Sequence, residues 1–455
     1  MSRQPLPHRT RGSLLIVAML LAAVFGIALV SYLRIGQTNM EVANRSFYNN
    51  AAVNLAETGL EQAMWSINKM VAGAGNAWDG WDTPTVHNAR RKWTGTDFGQ
   101  GTTGQVRVYV SNYDGTGAPT LYSRATITPS RGANIEKWIQ VQLRKRSKFA
   151  NGLVAKDSIT FNGNNATVDS WNSDPDKNPA TASIPYSNAV RNDKGSVGSI
   201  SVSVSAVAIN NADIWGYAAT GGAPPVVGNN GSVLGHDSPS GVKVDSARVS
   251  TDFTANFDPI TTPTETASIG AITSDTTLGT TGVNTTITCT SVIFAGSETL
   301  EIRGNVTLIV TDTTKAIEIT GNAGINIPSG ATLKIYTAGS LKIAGNGVAN
   351  SNTQPVTLQI YGTSTSTTST QDIQIAGNGD LKGVVYAPNG DVKVNGNGNV
   401  MGSVVAKNIT LTGNATFHYD ESLADFDSGS PYGITRWQEL TTATQRSGVS
   451  SLLDF

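Results

Sequence analysis

The feature that most constrains this chain is a run of 22 residues without a charged side chain, from Gly12 to Leu33. As a helix the run measures about 33 Å, at about 1.5 Å per residue, which is enough to cross a bilayer. A secretory signal core is shorter, about 7 to 15 residues, and ends in a small-residue cleavage site. This run has no such site, so it predicts a membrane-spanning helix.

Three arginines, Arg3, Arg9 and Arg11, precede the run. Basic residues beside a span stay on the cytoplasmic side of the membrane. We therefore expect residues 1–12 to be a cytoplasmic leader. The rest of the chain would then lie outside the cytoplasm, as the body of a single-pass protein.

The helical pattern continues beyond the span. Proline is absent between Arg9 and Asp82. Apolar residues recur at steps of three and four, which is one face of a helix; they are Ala56, Leu60, Ala63, Met64, Ile67 and Val71. The pattern predicts one helix over residues 13–72, apolar all round in its first half and amphipathic in its second, ending near Gly73 and Gly75.

The Arg-Gly pair before the span, together with the segment AETGLEQA at residues 56–63, resembles the type IV pilin-like proteins, and among them the PilX-type minor pilins and their pseudopilin relatives. The resemblance covers residues 9 to about 72. It implies that a prepilin peptidase recognises Arg11 and Gly12 and cuts before Ser13, which becomes a methylated amino terminus. It also implies an inner-membrane protein that joins other pilin-like subunits through the helix and then stands on the pilus or cell surface.

One position departs from this family. Most pilins carry Glu at the fifth mature position, which here is Val17. In the family that Glu neutralises the terminal amine of a neighbouring subunit, and a buried unpaired charge is costly. The resemblance therefore implies a tip or initiation subunit rather than a major subunit. The alternative is an ordinary anchored exoprotein, in which Val17 is simply apolar.

Composition favours an exported, β-rich body. Of 455 residues only 14% are charged, 48 are glycine, and the net charge is −1, so electrostatics predict no nucleic-acid partner. Cys289 is the single cysteine, which excludes an intrachain disulfide. The four histidines have no metal-ligand spacing. We expect no cofactor and no metal site.

After the helix the chain alternates apolar and polar residues in three stretches, 105–115, 120–129 and 136–146. Three strands after a helix predict a small α+β pilin-like head over residues 73–148. Trp78 and Trp81 at its start either stack on a sugar or pack the head onto the helix. Residues 149–275 are interpreted as an irregular β region and linker.

A repeat follows in which an apolar strand ends in x-Gly-Asn. It reads ITFNGN, LEIRGN, IEITGN, LKIAGN, IQIAGN, VKVNGN and ITLTGN. Stacked repeats predict an all-β parallel β-helix, a solenoid, over residues 276–423, with a cap and tail over 424–455. Glycine and asparagine both tolerate the positive φ of a corner. The corner asparagines would form a structural ladder; they are Asn305, Asn322, Asn346, Asn378, Asn397 and Asn414.

Two other interpretations of this region compete with a structural one. GNGD at 377–380 faintly resembles a calcium coil, but it occurs once, whereas such coils repeat. Residues 381–423, with VVYAPNGDV, GNVMGSVVAK and HYDESL, resemble an uncharacterised domain often found behind PilX-type amino termini. The His418–Asp420 segment is either catalytic or a cap for the end of the solenoid.

The sequence thus predicts a minor pilin-like structural protein, not an enzyme, that serves assembly priming or adhesion at a filament tip, where a surface group or glycan would be its ligand. The alternative is a membrane-anchored extracytoplasmic β-helix enzyme acting on polysaccharide. Such an enzyme needs two carboxylates about 5 to 9 Å apart. Asp380 and Asp391 are the pair that the sequence offers.

Overall fold

The computed structural model describes residues 11–71, 75–85, 87–113, 118–145, 147–163, 165–178, 180–344, 346–366, 370–377, 381–396, 399–413, 415–426 and 431–455. The chain forms two compact units. The antiparallel unit comprises residues 1–145 and 431–455, and the parallel unit comprises residues 146–430. The parallel unit is therefore an insertion, in chain order, within the antiparallel unit.

In chain order the helices and strands are α1 (Arg11–Val71), β1 (Asp82–Thr85), β2 (Asn88–Asp97), β3 (Thr103–Ser111), β4 (Thr120–Thr128), β5 (Ile135–Lys145), β6 (Leu153–Phe161), β7 (Thr167–Trp171), β8 (Gly195–Ser199), β9 (Val207–Asn210), β10 (Asp213–Thr220), β11 (Val226–Val227), β12 (Ser232–Leu234), β13 (Val249–Ser250), β14 (Ala267–Ser268), β15 (Thr276–Cys289), β16 (Val292–Phe294), β17 (Thr299–Val310), β18 (Lys315–Ile319), β19 (Gly324–Ile327), β20 (Thr332–Thr337), β21 (Ser340–Ile343), β22 (Gly347–Asn350), β23 (Leu358–Gly362), β24 (Gln371–Gly377), β25 (Leu381–Gly396), β26 (Asn399–Thr412), β27 (Thr416–Asp420), β28 (Tyr432–Glu439), α2 (Ala443–Ser447) and α3 (Ser450–Leu453). Short 3₁₀ turns occupy Asn188–Val190, Ser246–Arg248, Pro355–Thr357 and Glu421–Asp425.

The antiparallel unit packs α1 on a sheet of order β1-β2-β3-β4-β5-β28. Alternate side chains of a strand point to opposite faces, so one face of the sheet can cover the helix while the other covers different elements. Val108 and Val141 lie in the cluster that buries the helix residue Leu60. Trp138 lies in a separate cluster with Leu453 of α3. The C-terminal helix α3 therefore packs on a face of the sheet that α1 does not cover.

The parallel unit stacks its strands in register, and its inward apolar side chains form one continuous core. One column of directly paired residues shows the register. In order up the stack it runs through Ile287, Leu308, Ile335, Ile360, Val385, Val404, Leu153, Val197 and Ala218. Each strand alternates buried and more exposed residues, as a period of two requires.

The stack does not follow chain order. β26 pairs with β6, so that Ile409 lies opposite Ile159, across a separation of about 250 residues. From β6 the stack continues through β8 and β10 to β13. Residues 251–266 contain no strand and lead to β14 and β15 at the other end. The first half of the parallel unit is thus docked behind the last strands of the second half.

The predicted fold class, a small α+β head followed by a solenoid, is wrong. The structure has a long helix followed by all-β units, one with an antiparallel sheet and one with parallel strands. The antiparallel sheet needs β28, a strand from residues 432–439, and the parallel core includes residues 149–275. The alternation within each repeat indicates which side chains face inward. It does not indicate that β6 pairs with β26, because any two strands that alternate apolar and polar residues match in pattern.

Candidate functional site

The first half of α1 is uncovered, and its charge-free run is apolar. Every side chain from Leu14 to Phe47 is exposed within the described chain, including Val17 at 54% and Phe25 at 69%. Among the described residues this is the helix that is long and apolar enough to cross a membrane. Apolar surface in water costs about 25 cal/mol per Å². Lipid or other protein chains must therefore cover this half of the helix.

The second half of α1 packs closely on the sheet through small residues. Ala56 and Ala63 are fully buried. A Cβ atom on Gly59 would lie 2.6 Å from Cγ2 of Val108, which is closer than real carbon atoms approach. The Ser123 hydroxyl donates a hydrogen bond of 2.9 Å to the Ala56 carbonyl. The small residues of AETGLEQA therefore let the helix backbone approach the sheet.

The polar residues of the same segment lie on the other side of the helix. Thr58, Glu61 and Gln62 are exposed. One turn further on, Trp65 is 57% exposed, with the Lys69 ammonium 4.4 Å from its ring centroid. The AETGLEQA motif thus combines a buried edge of small residues with an open polar edge.

One stretch of α1 lies beyond the charge-free run but before the part that packs on the sheet. It runs from Arg34 to Phe47, all of it exposed. Ile35, Met40 and Val42 are each at least 60% exposed. At about 1.5 Å per residue this stretch is about 20 Å long. Its apolar side chains are available to other helices outside the bilayer.

The predicted processing residues lie at the start of this helix. α1 begins at Arg11 and includes Gly12 and Ser13. Val17 follows Ser13 by four residues, so the two positions lie one turn apart on the same side of the helix. Cleavage, methylation and the role of Val17 stay predictions.

The tryptophans singled out in the sequence belong to an aromatic cluster of the antiparallel unit. Trp78 packs edge-on against Trp81 and Tyr113, with ring centroids 5.2 and 4.7 Å apart. Trp81 packs in the same way against Trp93. The Trp78 indole N–H points to the Met70 sulfur at 3.3 Å. These contacts favour packing against the helix over stacking on a sugar.

A second candidate site lies in the parallel unit, where β27 meets β7. His418 Nδ1 lies 2.5 Å from Oδ1 of Asp169, and both side chains are buried. The Tyr186 hydroxyl donates to Oδ2 of Asp169 at 2.9 Å, and its ring stacks on His418 with centroids 3.7 Å apart. Arg191 approaches the same carboxylate at 3.2 Å and lies over the Trp215 ring. His418 is thus paired with Asp169, not with its neighbour Asp420.

Asp420 and Glu421 extend this cluster. Oδ1 of Asp420 accepts the backbone N–H of Ser173 at 3.0 Å, while Oδ2 is buried with no hydrogen-bond partner among the described residues. Burial raises the pKa of Asp420 above its ordinary value, against the opposing hydrogen bonds from Ser173. Glu421 accepts hydrogen bonds from the Ser170 hydroxyl at 2.9 Å and from the Lys194 ammonium at 2.7 Å. The bond to Glu421 raises the pKa of Lys194.

The proposed asparagine ladder is described only in part. Asn305 donates to Asn284 at 2.8 Å and accepts from Thr332, and the Asn346 amide donates to the backbone carbonyl of Asn322. Asn378, Asn397 and Asn414 lie outside the described residues. A continuous six-residue ladder therefore stays a prediction.

The carboxylate pair that the sequence offered for hydrolysis is likewise incomplete. Asp380 lies outside the described residues, and so does most of the GNGD calcium candidate. Asp391 accepts a hydrogen bond from the Asn408 amide at 2.8 Å. Among the residues that the structure describes, no group of three or more His, Cys, Asp or Glu side chains could hold a metal ion.

Sequence reasoning missed Asp169, Tyr186 and Arg191. All three fall in residues 149–275, where the sequence offers a single unit of the repeat. One signal was present: ITFNGN at 159–164 shares the x-Gly-Asn ending of the later repeats. It could have placed β6 in the same stack, and hence Asp169 beside HYDESL.

Comparison with known proteins gives two similarities. Residues 293–426 match the family described as Domain of unknown function (DUF7305), which is less than a third of the chain. The solved structure titled "Crystal structure of competence-associated pilin ComZ from Thermus thermophilus" matches at 13% identity over 85% of this chain and 97% of that chain, with a TM-score of 0.20. At that TM-score the likeness carries no argument. No curated protein matches the chain.

Proposed function

We propose that this chain is a minor pilin-like component of a type IV pilus or a related filament. The observation that carries the proposal is the division of α1 into two halves. One half is wholly exposed and is apolar throughout its charge-free run, and the other is seated on the sheet by Ala56, Gly59 and Ala63. A plain membrane anchor needs about 20 apolar residues. It does not need the further exposed apolar side chains of residues 34–47, which are suited to contact with neighbouring helices.

Processing is the first step of the proposed assembly. A prepilin peptidase would cut between Gly12 and Ser13, leaving Arg11 in the discarded leader. Ser13 would then be the methylated terminus, and the body would lie outside the cytoplasm. Mass spectrometry of the purified protein tests this step: we expect a mature chain that begins at Ser13 and carries one methyl group. A chain that retains Met1, or one cut beyond Tyr32, would contradict the pilin-like role.

We propose further that the subunit occupies the filament tip and serves priming or adhesion. Val17 supports this position, because a subunit without a carboxylate there cannot neutralise the terminal amine of a subunit ahead of it. The size of the body supports it too, since 285 residues lie in the parallel unit alone, from 146 to 430. Subunits stacked closely along a shaft would leave little room for such a body.

Gold labelling of the parallel unit on sheared filaments tests the position. We expect label at one end of a filament and at few sites. Label spread along the shaft would contradict the tip position while leaving the pilin-like role intact. Absence from filaments, together with an uncut leader, would favour the anchored exoprotein.

We propose a non-catalytic role for the body. In the cluster at His418, Asp169 is shared by a tyrosine, an arginine and the histidine, and both members of the His–Asp pair are buried. A general base must reach the proton that it removes, and a buried, fully engaged carboxylate is poorly placed to do so. The polysaccharide-active alternative predicts release of reducing ends from an exported glycan. An Asp391→Asn variant would lower that release, and absence of release by the unsubstituted protein counts against the alternative.

A further inference from the structure

The boundary between β26 and β6 poses a problem of register. Ile409 lies opposite Ile159, and Leu411 lies opposite Phe161. Side chains of a strand alternate with a period of two, so a slip of two residues would still point apolar residues into the core. Neighbouring strands in chain order are held near their register by short connections. β6 and β26 have no such connection, so something else must select their register.

Polar groups at the adjoining pair, β7 and β27, distinguish one register from its neighbours. Asp169 lies directly opposite His418 in the ladder and pairs with it. Ser170, the next residue of β7, donates to Glu421. Lys194, from the segment that follows, reaches the same carboxylate at 2.7 Å. A slip of two residues would separate every one of these partners by about 6.6 Å along the strand.

Burial makes a slip costly. The exposed fractions are 3% for Asp169 and 4% for His418. A buried ion whose partner is removed destabilises a fold far more than the pair stabilises it. Unpaired buried charges therefore act against the wrong register, as repulsive contacts do against a wrong partner.

We propose that the His418–Glu421 segment is a register lock, which selects the strand pair β6–β7 as the parallel neighbour of β26–β27. The lock residues lie inside the region matched by the domain of unknown function, which ends at residue 426. Asp169, Ser170 and Lys194 lie upstream of that region. The matched region is therefore not self-sufficient: it presents a strand edge that a complementary strand pair from outside it must cover.

Cysteine crosslinking in the full-length protein reads the register directly. Thr160 and Thr410 are paired and partly exposed, so Thr160→Cys with Thr410→Cys reports the observed register. Thr160→Cys with Thr412→Cys reports a slip of two residues, since paired Cα atoms in a disulfide lie about 4.4–6.8 Å apart. Cys289 does not interfere, because it is buried and burial raises the pKa of its thiol to about 11.

The contacts of the lock are weakened by Glu421→Gln in the lock itself and by Asp169→Asn in its partner strand β7. Both substitutions keep the side-chain shape and remove a charge. We expect the ratio of slipped to observed crosslink to rise about tenfold or more in the double variant, because charged hydrogen bonds to two carboxylates are weakened. An unchanged ratio would overturn the proposal. If the double variant forms neither crosslink, it has failed to fold. In that case the Glu421→Gln single variant is the test. An unchanged ratio of slipped to observed crosslink in that variant also overturns the proposal.

A glycine contact provides the matched control. A Cβ atom on Gly163 would lie 1.7 Å from the Gly413 carbonyl oxygen, so Gly163→Ala disturbs the same boundary without touching a charge. We expect this variant to lose crosslinking efficiency in the observed register with no gain of the slipped product. A slipped product in Gly163→Ala but not in the lock variants would assign the register to backbone sterics and overturn the proposal.

Discussion

The two sheets of this molecule are each completed by a strand that is remote in sequence, but the remote strand has a different place in each. In the antiparallel unit, β28 is added at the edge, beside β5 only. In the parallel unit, β6 lies in the interior of the stack, with β26 on one side and β8 on the other. An edge strand can leave while the rest of its sheet stays paired. An interior strand cannot, so equivalent substitutions should have local effects in one unit and global effects in the other.

The largest effect is expected at the interior position. Ile159 is fully buried between β26 and β9, so Ile159→Asp places a charge in the core and should destabilise the parallel unit by several kcal/mol. Hydrogen-exchange mass spectrometry would show loss of protection in β26, β6 and β8 together, while the antiparallel sheet stays protected.

Thr160→Asp is the control for that substitution, because Thr160 lies on the outward phase of the same strand. We expect protection close to that of the unsubstituted protein. Equal loss at both positions would mean that the assigned phase of β6 is wrong.

A smaller effect is expected where α1 meets the antiparallel sheet. Gly59→Ala gains about 0.5–1 kcal/mol of helix preference but forces a methyl group to 2.6 Å from Val108. Overpacking costs typically about 1–3 kcal/mol, so we expect net destabilisation of about 1–2 kcal/mol. Hydrogen exchange in β3 and β4, followed as the urea concentration is raised, measures this change in the free energy of unfolding. Gly36→Ala, with no atom within 4 Å of the new methyl group, should be neutral or stabilising. A stable Gly59→Ala variant would contradict the close approach.

These contrasts explain what the sequence could and could not predict. The existence of a long amino-terminal helix was predicted, because its apolar period and its lack of proline are local properties. The inward phase of Ile375 and Val394 was also readable from alternation, and both side chains are buried. Strand neighbours are not local properties. Nothing near Ile159 states that it pairs with Ile409, and nothing near Trp437 states that β28 completes the first sheet.

The candidate sites divide in the same way. The AETGLEQA segment could be picked out from the sequence because its residues act within one helix. The His418–Asp420 segment was singled out as either catalytic or a cap, but Asp169 was not connected with it, because Asp169 is near His418 in space and far from it in sequence. Tyr186 lies in an irregular segment without a periodic signal. A site formed by two strands that are far apart in sequence is therefore the hardest part of this molecule to predict from the sequence.

At the edge of the antiparallel sheet the expected effect is no larger than that of Gly59→Ala, and it is confined to one strand. The Asn68 side chain accepts the Tyr432 N–H at 2.7 Å and donates to the Tyr432 carbonyl at 3.3 Å, which fixes the start of β28. Asn68→Ala removes both bonds and should cost about 1–2 kcal/mol. We expect faster exchange across residues 432–439, with β3 and β4 unchanged. Loss of protection throughout the sheet would mean that β28 is not a separable edge.

The smallest effect is a pH dependence from Asp420 in the parallel unit. Burial raises the pKa of this carboxyl in the folded chain, whereas in the unfolded chain it titrates near about 3.9. As pH rises above the unfolded value, the unfolded chain releases a proton that the folded chain retains. The unfolded chain then binds fewer protons, so the free energy of unfolding falls as pH rises, until the folded pKa is passed. The slope from one group is at most about 1.4 kcal/mol per pH unit.

Asp420→Asn removes the titration, so its unfolding free energy should fall less steeply than that of the unsubstituted protein over this range. Equal slopes in urea-unfolding series from pH 4 upward would mean that Asp420 is ionised in the fold, with its charge held by the Ser173 and Ser422 N–H groups.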